Sequence, residues 1–186
     1  AFPGSTFAVP RSCGPDAIAN TQNVLCMAPS GPCTATAVTL GDNIEVADAG
    51  CAFDLGGRAF SVQKTLQMTG LGFIRVTNAG NITVTGTGKL KARGDFIKPN
   101  GFIIQGGSVS LTSAGTITML DRAQIDVSGD GAGTIRLIAM GTNGAGIGVD
   151  LQTGSVLSGQ GISSFTDTGD RFADGGTLEV TASTGS

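Results

Sequence analysis

The chain has 186 residues, among them 31 glycines, with 40% hydrophobic and 13% charged residues and a formal net charge of −3. That length builds one domain with a sizeable core, and the hydrophobic content is too high for a chain that stays disordered. The 11 Lys and Arg are scattered, Trp and Tyr are absent and so is histidine, which argues against a nucleic-acid partner and removes Ser-His-Asp, Cys-His and H-E-x-x-H chemistry.

Residues 1–36 hold Pro3, Pro10, Pro15, Pro29 and Pro32, five of the six prolines, with three of the four cysteines. Proline lacks a ladder donor, so this segment reads as an irregular N-terminal extension or cap over the first open edge of the remaining chain. Pro15-Asp16-Ala17-Ile18-Ala19-Asn20 is compatible with a short amphipathic helix. Cys13, Cys26, Cys33 and Cys51 are even in number and lie in the most irregular part of the chain, a pattern that predicts two disulfides in any of three connectivities. Their spacing contains no C-x-x-C pair, which suits zinc poorly. Ala1 opens the sequence without Met, a basic n-region or an apolar h-region. The expectation is a secreted chain whose signal peptide has been removed. No apolar run approaches the roughly 20 residues that span a bilayer, so the chain reads as not membrane-spanning.

From Ala37 to Ser186 the pattern changes to short alternating strands with glycine between them. Ile44-Glu45-Val46, Phe60-Ser61-Val62 and Leu66-Gln67-Met68 read as strands of a first coil. A repeat then becomes explicit. Gly72-Phe73-Ile74-Arg75-Val76, Ala79-Gly80-Asn81-Ile82-Thr83-Val84 and Lys89-Leu90-Lys91-Ala92-Arg93-Gly94-Asp95 recur 35 residues later. Their counterparts are Gly107-Ser108-Val109-Ser110-Leu111, Ala114-Gly115-Thr116-Ile117-Thr118-Met119 and Gln124-Ile125-Asp126-Val127-Ser128-Gly129-Asp130. A third copy runs from Gly133-Thr134-Ile135-Arg136-Leu137 through Val149 to Leu157, and a fourth begins at Gly176-Thr177-Leu178-Glu179-Val180.

Three short strands per repeat cannot enclose a core alone, but stacked repeats can. The predicted fold is all-β: a parallel β-solenoid with about three strands per coil over residues 37–186. Side chains alternate across a strand, so one set lines the shaft. The predicted core ladder is Ile74, Val76, Ile82, Val84, Leu90, Val109, Leu111, Ile117, Met119, Ile125, Val127, Ile135, Leu137, Leu178 and Val180. Their neighbours, Asp126 among them, are predicted to face water. An antiparallel sandwich also uses short strands and glycine turns, but hairpins do not require a fixed 35-residue recurrence.

The form G-x-hydrophobic-x-hydrophobic, A-G-x-I-x-hydrophobic, hydrophobic-x-hydrophobic-x-G-D resembles the glycine-rich right-handed parallel β-helix proteins secreted by Gram-negative bacteria, including adhesins and autotransporter passengers. The resemblance spans about residues 37–182 and is one of pattern. It implies an extracellular or cell-surface structural role, with surface carbohydrate as a candidate partner, and identifies no ligand.

The expected function is therefore a non-enzymatic structural subunit, assembled end to end with itself, without cofactor or metal. Leu178 and Val180 form the predicted assembly edge, because they begin a coil that exposes unpaired backbone groups; a fragment of a longer array would leave the same open coil. The alternatives are a surface adhesin or carbohydrate-binding β-helix, and a polysaccharide lyase or hydrolase. Asp95 and Asp130 follow Gly94 and Gly129 in successive repeats, and a carboxylate pair serves glycoside hydrolysis; a plain turn preference explains both more economically. Asp167, Asp170 and Asp174 in the Gly161–Gly175 loop fit no EF-hand spacing. The sequon Asn81-Ile82-Thr83 falls in an expected strand, which disfavours its use.

Overall fold

Alternation of Val, Ile and Leu with Ser, Thr and charged residues, interrupted by glycine, builds strands of three to seven residues throughout. In the computed structural model the described residues are 17–18, 37–41, 43–47, 50–69, 72–94, 106–129, 131–161, 164–166, 169–171 and 175–183. They contain no helix. After β1 (Ala17–Ile18), a first coil comprises β2 (Ala37–Leu40), β3 (Ile44–Ala47) and β4 (Cys51–Asp54). The second holds β5 (Ala59–Val62), β6 (Thr65–Thr69) and β7 (Phe73–Ala79), and the third β8 (Ile82–Val84), β9 (Lys89–Arg93) and β10 (Ser108–Ser113). The fourth holds β11 (Ile117–Met119), β12 (Gln124–Asp126) and β13 (Thr134–Ala139). The fifth has β14 (Val149–Leu151) and β15 (Val156–Ser158), then the antiparallel pair β16 (Ser164–Thr166) and β17 (Gly169–Arg171), and finally β18 (Thr177–Ala182).

Every third strand returns to the same sheet. The orders are β1-β4-β7-β10-β13-β18, β14-β11-β8-β5-β2 and β15-β12-β9-β6-β3. All ladders in these sheets are parallel except β1 on β4, where Ala17 faces Phe53 and Ile18 faces Ala52. This is the topology of a parallel β-solenoid. Its coil-to-coil register joins Ile74 to Val109 and Ile135, Ile82 to Ile117, and Leu90 to Ile125. The residues Ile74, Val76, Ile82, Val84, Leu90, Val109, Leu111, Ile117, Met119, Ile125, Val127, Ile135 and Leu137 are all buried in one core, which Val38, Leu40, Phe53 and Phe60 extend toward the N-terminal end.

Two local devices keep the coils in step. Between Leu111 and Ser113 the β7–β10 register shifts, because β7 carries an extra residue at Asn78, which adopts φ 52°. Asparagine tolerates this left-handed conformation, and its Nδ2 donates to Asp54 Oδ1 at 2.9 Å on the coil below. At the corner before the six-stranded sheet, Gly72, Gly107, Gly133 and Gly176 stack one per coil. The carbonyls of Gly72, Gly107 and Gly133 accept the N–H of Ser108, Thr134 and Thr177 at 3.2, 3.1 and 3.0 Å. A Cβ on Gly107 or Gly133 would overlap the carbonyl oxygen of the glycine below.

Several expectations are corrected. Ala17–Ile18 forms a strand in place of a helix over 15–20; a helix of six residues is marginal, whereas β4 offers a row of backbone partners. The strands assigned to one first coil belong to two, since β3 lies below β6 and Val38 of β2 pairs with Phe60. The loop over 161–175 contains the β16–β17 hairpin. Asn81 lies just before β8 and is exposed, and its Oδ1 accepts the Thr116 N–H at 3.0 Å. The four-cysteine cap falls outside the described residues, apart from the backbone of Cys51 in β4.

Candidate functional site

The least satisfied surface among the described residues is the last coil. β14, β15 and β18 each end their sheet and are paired on one side only. Their inward registers continue the core ladder: Val149 pairs with Ile117, Leu151 with Met119, Leu157 with Ile125, Leu178 with Ile135 and Val180 with Leu137. The partners in the fourth coil are buried, whereas Leu151, Leu178 and Val180 are 43%, 54% and 47% exposed. Leu178 and Val180 therefore do not belong to the buried core as expected from their alternation. Register places them over the shaft, and among the described residues no strand pairs above them.

Leu151, Leu178 and Val180 make an apolar floor rimmed by three rows of strand backbone, while Val156, in register with Gln124, is exposed on the outer wall. Such an edge pairs readily with another chain unless something blunts it. The one ion pair described on β18 joins Glu179 to Arg136 within the molecule at 3.1 Å. The opposite end differs, since Val38, Leu40 and Phe53 of the first coil are at most 5% exposed.

Asp126 is the one charged residue buried among those described, contrary to the expectation that it faces water. β12 stops at this residue, so the alternation ends and the corner turns the carboxylate under cover. Ser128 N donates to its Oδ1 at 3.0 Å, and Arg93 Nε lies 3.4 Å from its Oδ2. The Ser128 hydroxyl lies 3.0 Å from that of Ser158 and accepts the Gln160 N–H at 3.2 Å. These contacts tie the third, fourth and fifth coils together at one corner, a structural role. Asp126→Ala should lower stability by about 2 kcal/mol, the scale of a buried hydrogen bond to a charged group. Asp126→Asn, which keeps an acceptor for Ser128, should cost clearly less. Urea unfolding of both variants checks this; equal stability of the parent and Asp126→Ala would refute it.

Asp95, Asp130, Asp167 and Asp174 lie outside the described residues, and of Asp170 only the backbone in β17 is described. Among the described residues no three His, Cys, Asp or Glu side chains gather as metal ligands, and no helix is long and apolar enough to cross a membrane. Compared with family models, with curated proteins and with solved structures, the chain matches none.

Proposed function

We propose that the chain is a secreted, non-enzymatic structural protein, a right-handed β-solenoid with a disulfide-linked N-terminal cap that assembles end to end into a surface filament. The observation that carries this reading is the last coil. Its side chains hold core register at Leu151, Leu178 and Val180 while remaining about half exposed. Burying the exposed half of three such side chains contributes roughly 1 kcal/mol each, and the three unpaired strand edges add backbone partners. Right-handed winding follows from the strong preference of parallel crossover connections for that hand.

The occupant is a second copy of this chain. A short piece of the N-terminal segment already adds along β4 at one edge of the six-stranded sheet, and β18 is the other edge of that sheet. The same segment from a neighbour would add along β18, a strand-donation contact. It engages different surfaces on the two partners, so it repeats into a filament unless rotation closes a ring.

The test is size by light scattering and electron microscopy for the parent, for Leu178→Asp/Val180→Asp and for a deletion of residues 1–20. The parent should form elongated particles that grow with concentration. The double variant should remain monomeric with a melting temperature lowered only modestly, because about half of each replaced side chain is already exposed. A parent that stays monomeric at high concentration, or variants that assemble as the parent does, would overturn the reading.

A further inference from the structure

The sequence reads its cations as scattered, but folding gathers four of them. Lys89, Lys91 and Arg93 occupy alternate positions of β9, half-buried on the side opposite the buried Leu90 and Ala92. The Lys89 N–H donates to the carbonyl of Lys64 at 3.1 Å, which puts exposed Lys64 at the same corner one coil below. Cations two residues apart on a strand are spaced by roughly 7 Å. The row runs across a protein whose net charge is −3.

Two ordinary explanations do not account for the whole of such a row. Lysines on an edge strand discourage unwanted pairing, but β9 is the central strand of its five-stranded sheet. Cations also cluster where acids neutralise them. The carboxylate next to Lys91 in register is Asp126, which is bound by Ser128 N and by Arg93 of the row itself, and Glu45 stands in the same column beyond Gln67; these two acids set against four cations leave the face net positive. Burial pushes the Lys91 pKa below its ordinary value, Lys89 pushes in the same direction, Asp126 opposes and Arg93 adds to the lowering. Like charges are thus held side by side against their mutual repulsion, and a bound anion relieves it.

The flanking rungs supply neutral hydrogen-bonding groups. Thr65 and Gln67 pair with Lys89 and Lys91 on one side, and Gln124 pairs with Lys89 on the other; all three are half-buried. Three rungs span about 10 Å of flat wall, enough for one extended polymer strand with its charges over β9 and its hydroxyls over the amides. We infer that the outer face of β6, β9 and β12, centred on Lys89 and Lys91, binds an acidic polysaccharide. Single-stranded nucleic acid fits less well, because Trp and Tyr are absent and such binding relies on aromatic stacking. The face lies on the side wall, away from the open end, so it does not depend on the assembly proposed above.

The probes are heparin and polygalacturonate, with dextran as the uncharged polymer and an oligothymidylate as the competing polyanion, measured by calorimetry at low and high salt. The parent should bind at least one of the acidic polysaccharides, lose affinity with salt and ignore dextran. Lys89→Gln/Lys91→Gln should weaken binding by about tenfold or more with melting temperature unchanged or raised, since repulsion is removed. Arg75→Gln/Arg136→Gln, the same charge change on the six-stranded sheet, should bind as the parent does. The inference is overturned if the parent binds neither acidic polysaccharide at low salt, or if the two double variants bind equally. Binding of dextran or oligothymidylate as tightly as the acidic polymers would overturn it too.

Discussion

Ile117→Asp is expected to unfold the solenoid around its fourth coil, lowering stability by about 4 kcal/mol or more. Ile117 is fully buried, with Ile82 below it and Val149 above it in register. An aspartate there brings a charge into a shaft of aliphatic side chains with no partner. It either stays ionised at a large desolvation cost or takes up a proton and leaves an unpaired carboxyl. Thr83→Asp is the appropriate comparison. Thr83 lies on the outer face between Ser61 and Thr118, where water solvates the new charge, and its effect should stay within about 0.5 kcal/mol. Thr118→Asp is a poorer control, because it would sit directly opposite Asp150. Urea denaturation followed by circular dichroism measures the difference, and similar midpoints for Ile117→Asp and Thr83→Asp would contradict the inward register.

The second large effect is expected at the glycine column. Gly133→Ala should destabilise the protein by about 2 to 3 kcal/mol, the range for forcing an extra carbon into a filled site. The added methyl meets the Gly107 carbonyl oxygen, and that oxygen also accepts the Thr134 N–H at 3.1 Å. Relief therefore requires two coils to move apart at a point where their backbones are bonded. Gly144 provides the contrast. A methyl group added there would have nothing within 4 Å, and the backbone lies outside the left-handed region, so Gly144→Ala should be neutral or slightly stabilising through reduced freedom of the unfolded chain. Thermal melting of the two variants distinguishes them. A Gly133→Ala protein as stable as the parent would show that the coils are spaced more loosely than the column implies.

How much was legible in the sequence depended on how regularly each coil returns. Ile82 and Ile117, Ile74 and Val109, and Leu90 and Ile125 are each 35 residues apart and stack in register. The repeat was visible there because strand period and glycine markers agree. The early coils lack those markers. Phe60 returns to Ile82 after only 22 residues, so β3, β5 and β6 read as neighbours in one turn instead of two. Asp126 was misplaced because alternation describes a strand and fails at its last residue, where the corner decides direction. Leu178 and Val180 have the pattern of core residues, yet burial depends on whether a coil lies above them, which no local pattern encodes. The cation row illustrates the same limit. Lys64 and Lys89 are 25 positions apart in the chain, and only the coil return places them at one corner.

The stacking direction also decides how the molecule bears load. Strands run across the axis, so the hydrogen bonds that join one coil to the next point along it. Tension applied between the two ends therefore pulls each coil boundary along the direction of its own bonds, and the boundaries carry it in series, since each coil touches only its neighbours. A chain loaded this way lengthens by peeling single turns while the remainder keeps its shape. The turn between Ile82 and Ile117 holds 35 residues and yields roughly 120 Å of slack when drawn out.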